Sequence, residues 1–177
     1  MKKGINPVSA ESFYPDRFKH KVLFITGAAN DSIGGATAIR AAREGAKVFC
    51  VDIKDEALNE TVARITADGG DAIAYKADVR DARAAASAVS ECVAKYGAMH
   101  LVLNAAGVMD GNDPSKPQDF ENTQHLLPSP IHTATDEYWH NVMNANINSM
   151  FYCMRAQLTK MIKKDKGWLL NTSDADE

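Results

Sequence analysis

Five short apolar runs separated by stretches of helical spacing limit this chain more than any other feature. The runs are KVLFIT (21–26), AKVFCVD (46–52), DAIAYKAD (71–78), MHLVLNAAG (99–107) and GWLLNTS (167–173). Nearly unbroken apolar runs of this length suit strands buried on both faces, as in a parallel sheet. Between them, IGGATAIRAAREG is Ala-rich and stops at Gly45, a natural C-terminal stop. Leu58, Val62 and Ile65 share one face of the next segment, and Ala85, Val89, Cys92 and Tyr96 do so in the one after. From Trp139 to about Lys163 the spacing predicts one long helix. Its stripe of Met143, Ile147, Met150, Met154, Leu158 and Met161 reads as core packing, with part of it a subunit contact. Repeated alternation of strand and helix predicts an α/β fold, a doubly wound parallel sheet with right-handed crossovers.

At 177 residues the chain suits one domain, spanning residues 21–177 behind an N-terminal arm of residues 1–20. Residues 110–133 carry Pro114, Pro117, Pro128 and Pro130 and read as one long polar loop, a class that is usually functional or disordered. A net charge of −3 with 24% charged residues gives no general affinity for nucleic acid or acidic membranes. Lys160, Lys163, Lys164 and Lys166 fall where cations favour the end of a helix. Cys50, Cys92 and Cys153 are far apart in apolar stretches, which reads as buried free thiols in a reducing compartment. The five histidines show no ligand spacing, so no metal site is expected. No apolar run approaches the roughly 20 residues of a membrane span, and the expectation is a cytoplasmic protein.

TGAANDSIGGATA (26–38) follows the first strand directly and opens a helix. A strand, a Gly-containing turn and a helix form the setting that binds a dinucleotide pyrophosphate. The phosphates rest on free N–H groups at the helix N-terminus, and Gly27 and Gly34 permit tight backbone geometry. Asp52 ends the second strand, 25 residues after Gly27 and 18 after Gly34. An acid at that place accepts hydrogen bonds from the adenosine ribose hydroxyls. The same carboxylate would repel a 2′-phosphate, so NAD is favoured over NADP, although Lys54 is near enough to soften the preference.

These residues resemble the short-chain dehydrogenase/reductase family from about Lys21 to Ala175. TGAANDSIG is similar to the family's TGxxxGxG loop, Asp52 to its NAD-selecting acid, and Asp78-Val79 to its adenine-contacting pair. NAAG (104–107) is similar to its motif after the fourth strand, and Asn146 to the asparagine of its central helix. The resemblance implies an NAD(P)-dependent oxidoreductase with a Rossmann-type domain, acting on an alcohol or ketone. Gly27, Asn30, Ser32, Ile33, Gly34, Asp52, Ile53, Asp78, Val79, Asn104, Ala105, Ala106 and Gly107 would hold the cofactor. Asn146 would hold a water in a proton relay, and Ser173 or Asp174 would stand beside the substrate. It also implies a homo-oligomer through the 139–163 helix.

The departures shape the expectation. The phosphate loop is one residue longer than the family's, and Ser32 stands at its middle glycine, although Ser32 is an acceptable helix N-cap. Ser32-Ile33-Gly34 resembles the loop of the family's enoyl-thioester reductase branch, which remains a lesser alternative. Asp174 occupies the family's substrate-holding serine position, where a carboxylate would repel an oxygen gaining negative charge. No Tyr-x-x-x-Lys occurs: the residues four beyond Tyr14, Tyr75, Tyr96, Tyr138 and Tyr152 are Phe18, Val79, His100, Val142 and Ala156. The chain therefore reads as the first two-thirds of a dehydrogenase, its sheet incomplete at the C-terminal end. Little or no turnover is expected of it alone. The rival reading is a non-catalytic dinucleotide-binding or interaction protein.

Overall fold

A computed structural model describes residues 14–108, 130–162 and 167–171 of the chain. Five parallel strands form one sheet in the order β3-β2-β1-β4-β5. They are β1 (Val22–Thr26), β2 (Lys47–Asp52), β3 (Asp71–Lys76), β4 (Leu101–Asn104) and β5 (Trp168–Asn171). Helices α1 (Ile33–Arg43), α2 (Asp55–Ala67) and α3 (Ala82–Tyr96) link the first four strands. Between β4 and β5 lie α4 (Asp136–Met143), a π-helical turn (Asn144–Asn148) and α5 (Ser149–Met161). The winding direction reverses between β1 and β4, the place where open α/β sheets bind ligands.

Side chains alternate across each strand, so the sheet has two apolar cores. Val22, Phe24, Phe49 and Val51 pack with Val89 and Cys92 of α3 and Cys153 and Met161 of α5. Leu23, Ile25, Val48 and Cys50 pack with Ala38 and Ile39 of α1 and Leu58 and Ile65 of α2. Each large side chain so buried contributes about 1.5–3 kcal/mol. Along β5 only one side is covered: Trp168 and Leu170 are 64% and 63% exposed, while Leu169 packs against the α3–α5 core.

The doubly wound sheet expected from the alternation is present, with each strand one to five residues shorter than its apolar run. The expected single helix from Trp139 differs in two ways. It begins at Asp136, capped by the Thr135 hydroxyl accepting from the Tyr138 N–H at 3.1 Å, and the π turn interrupts it. Its buried row is also not the apolar stripe. Ala145, Ser149, Cys153, Gln157 and Met161 face inward, and Ile147 and Leu158 face solvent. The cap of α3 is Asp81, its carboxylate accepting from the N–H groups of Arg83 and Ala84 at 2.8 Å each.

One carboxylate locks the start of the fold. Glu44 is 1% exposed, yet pairs with Arg17 at 2.9 Å and Arg40 at 2.7 Å, and the Phe18 N–H donates to its carbonyl at 2.8 Å. Replacing Glu44 by Gln should cost about 1.5–3 kcal/mol, the worth of hydrogen bonds to a charged group. Limited proteolysis checks this, with faster cleavage at Arg17 and Lys19 expected in the variant.

Candidate functional site

The site is assembled at the C-terminal ends of β1, β2 and β4. After β1 the chain turns on Gly27, whose φ of 69° lies in the left-handed region. A Cβ there would stand 2.5 Å from the Ala105 carbonyl oxygen. The loop therefore lies directly against the turn that leaves β4, and the Ala106 N–H donates to the Thr26 hydroxyl at 3.3 Å.

Ser32 is the N-cap of α1, as its position suggested. Its hydroxyl oxygen accepts from the Gly35 N–H at 2.9 Å and lies 2.6 Å from the Ala29 carbonyl, to which it donates. The extra loop residue is absorbed by Asp31, which adopts a φ of 60°, a conformation that Asp tolerates better than most residues. The bulge leans onto α2. The Asn30 N–H donates to the Ala57 carbonyl at 2.8 Å, its amide donates to Glu60 at 3.0 Å, and Arg64 donates to its amide oxygen at 2.7 Å. Asn30 is thus a fastener of the loop, its amide already engaged with α2. The N–H groups of Ile33 and Gly34, in the first turn of α1, have no protein acceptor among the described residues, while the Ile33 side chain is exposed. Unsatisfied N–H groups at a helix N-terminus suit an anion.

Asp52 faces this loop from the end of β2. One carboxylate oxygen accepts from the Ala29 N–H at 3.0 Å and the other from the Lys54 N–H at 2.9 Å. Each oxygen keeps acceptor capacity for a further donor. Ile53 follows, half-buried. Asp78 is gripped by the Arg80 guanidinium, with Nε at 3.0 Å from both oxygens and Nη2 at 2.8 Å from one. Val79 is buried in the core, so only its backbone is left for a ligand.

At β4, Asn104 is buried and exchanges two hydrogen bonds with Gln157 of α5, at 2.8 and 3.0 Å. Its amide also donates to Asn171 of β5 at 3.0 Å. Ala105 and Ala106 are half-buried. Gly107 makes room for Asn146, since a Cβ on Gly107 would stand 2.5 Å from the Asn146 amide oxygen. Asn146 lies in the π turn and clasps Val108 from both sides. It accepts from the Val108 N–H at 3.0 Å and donates to the Val108 carbonyl at 3.0 Å and to the Val142 carbonyl at 3.1 Å. One acceptor position on its oxygen remains. Ser173 and Asp174 lie outside the described residues.

Gln157 and Arg80 were not among the residues singled out from sequence. A glutamine interrupting an otherwise small and apolar row was the available signal for the first. The thiols stand apart from the site: burial pushes Cys50, Cys92 and Cys153 up to about 12, and none can form a thiolate at neutral pH. A thiol-alkylating reagent should label none of the three in the folded protein and all three in denaturant, as read by intact mass.

The family model described as short chain dehydrogenase matches residues 21–175. A cyclohexanol dehydrogenase of Acinetobacter sp. (strain SE19) is 31% identical over 163 residues, 92% of this chain and 58% of that protein. A 3beta-hydroxysteroid dehydrogenase of Mediterraneibacter gnavus is 31% identical over 161 residues, 91% of this chain and 52% of that one. Among solved structures, a short chain dehydrogenase from Mycobacterium smegmatis superposes with a TM-score of 0.78 at 28% identity, covering 96% of this chain and 64% of that one. An NAD+-bound xylitol dehydrogenase gives 0.76 at 27% identity, covering 89% and 54%. The chain thus spans a little over half the length of the curated relatives it matches. The family model over residues 21–175, with a sheet that superposes on these dehydrogenases, identifies the chain as a member of the short-chain dehydrogenase/reductase family.

Proposed function

We propose that the protein is an NAD-dependent oxidoreductase passing hydride between the nicotinamide and an alcohol or ketone. The observation that carries this is the combination of open Ile33 and Gly34 N–H groups after β1 with Asp52 at the end of the adjacent strand β2, its carboxylate accepting from the Ala29 N–H of the same loop. The residues present fit a dinucleotide: the N–H pair suits a pyrophosphate, and Asp52 suits a ribose diol. When bound, the cofactor supplies the redox chemistry. The chain's own residues orient and exclude. Gly27 and Gly34 let the loop close tightly, Asp52 selects the ribose, and Asn104 to Gly107 floor the cleft. Asn146 has one acceptor position with which to hold a water, and Ser173 and Asp174 are the candidates on the substrate side.

Asp52 would repel a 2′-phosphate, which favours NAD over NADP. Calorimetric titration with both dinucleotides tests this. Asp52→Ser should weaken NAD binding about tenfold, the loss of one charge-assisted hydrogen bond, and narrow the gap to NADP. Equal affinity of the wild type for both would refute the assignment.

We propose further that a second copy covers the helical face displaying Trp139, Ile147, Phe151, Leu158 and Ile162, all exposed. Arg155 lies over the Phe151 ring at 5.0 Å. Sedimentation should show an oligomer, and Phe151→Glu should shift it toward monomer.

A further inference from the structure

We infer that Glu60 and Arg64 of α2 are positioning residues for the pyrophosphate, acting on the phosphate loop through Asn30; this rests on the oxidoreductase reading above. A glutamate and an arginine four residues apart share one face of a helix, where they ordinarily serve each other. Here each reaches across to the Asn30 amide. Asn30 Nδ2 donates to Glu60 Oε2 at 3.0 Å, and Arg64 Nη1 donates to Asn30 Oδ1 at 2.7 Å. The backbone joins the same contact, the Asn30 N–H donating to the Ala57 carbonyl at 2.8 Å. Both sides of one amide and its own main chain are thereby fixed to α2.

The place of this clasp in the loop gives it its effect. The N–H groups of Ala28 and Ala29 donate to the Val51 carbonyl at 3.2 Å and to Asp52 at 3.0 Å, so β2 holds the loop's first part. Ser32 holds its far end as the cap of α1. Between them the chain passes through Asn30 and through Asp31, whose φ of 60° is left-handed. A non-glycine residue keeps such a conformation only where its surroundings enforce it. The clasp is that enforcement, and it sets where α1 begins and so where the Ile33 and Gly34 N–H groups stand. Asp52 is fixed separately, by the N–H groups of Ala29 and Lys54. Loosening the clasp therefore weakens the grip on phosphate and spares the grip on ribose.

The test titrates the full-length protein with NAD and with adenosine, which has the ribose and no phosphate. Glu60 and Arg64 are exposed, so the fold survives their replacement. Glu60→Met and Arg64→Met should each weaken NAD binding about three- to tenfold, the worth of one hydrogen bond, with adenosine within about twofold of wild type. The sign at Glu60 is the sharpest readout. Removing a negative charge would by itself favour an anionic ligand, whereas loss of the clasp disfavours it. Glu60→Gln can still accept from Asn30 and Arg64→Lys can still donate to it, so both should keep NAD affinity within about twofold of wild type. Unchanged or tighter NAD binding in Glu60→Met, or equal losses for NAD and adenosine, would overturn the inference. A wild type that does not bind NAD would instead refute the oxidoreductase reading itself.

Discussion

Gly27→Ala should lower the melting temperature by about 10 °C. Two penalties combine at this residue. An alanine held at the φ of 69° costs about 1–2 kcal/mol. Its Cβ would also stand 2.5 to 2.8 Å from three backbone atoms of Ala105 and Ala106, so β1 and β4 must part at the site. Crowding of this kind adds about 1–3 kcal/mol. At about 2–4 °C per kcal/mol for a domain of this size, the sum reaches the stated shift. Gly69 and Gly97 supply the control. Both have left-handed φ angles, 82° and 75°, and a Cβ at either meets nothing within 4 Å. Gly69→Ala and Gly97→Ala should lose only the conformational part, less than half the drop at Gly27. Equal drops at all three positions in a thermal melt would show that the contact with Ala105 adds nothing.

Asn146→Asp should destabilise the protein by about 2–4 kcal/mol, as the loss of two donated bonds to half-buried carbonyls implies. The carboxylate can still accept from the Val108 N–H, but it turns an anion toward the Val108 and Val142 carbonyls, which now receive hydrogens at 3.0 and 3.1 Å. Asn146→Leu should be comparably damaging, because it strands the same Val108 N–H and both carbonyls. The two variants part with pH. The carbonyls raise the folded-state pKa of the new acid above its unfolded value, so its protonated form, which can donate once, is stabilised. The deficit of Asn146→Asp should shrink as pH falls, and that of Asn146→Leu should not. Denaturant melts across acid and neutral pH separate them, and parallel deficits would show that the amide's donor side is unimportant.

The strands and the loop between β1 and α1 were legible because each obeys one local rule. An unbroken apolar run marks a strand buried on two faces, and Ser32 before a Gly- and Ala-rich helix marks a cap. The place of Asp52, at the end of β2 and against the loop, was legible from spacing. The inward face of α5 was not. Its row recurs every fourth residue and includes Ser149 and Gln157, whereas an apolar stripe follows Ile147 and Leu158 to the surface. The π turn compounds this, since five residues in one turn break the α period counted from Met143. Nor could local pattern show that Asn30 has partners, because Glu60 and Arg64 reach it through the folded geometry. The same holds for Asn146, whose grip on Val108 spans 38 residues of sequence.

The bare side of β5 makes Trp168 an optical reporter. An indole in water emits at longer wavelength than one in apolar surroundings, and the chain holds only two tryptophans. Trp168 sits on the uncovered side of the sheet with the Lys21 ammonium 5.9 Å from its ring, and Trp139 is exposed on α4. With Trp139→Phe and Trp168→Phe each leaving one fluorophore, the two surfaces can be followed separately. A blue shift that grows with protein concentration in the Trp168→Phe protein would report pairing through the helices. A blue shift confined to the Trp139→Phe protein would report that something has come to rest against the sheet.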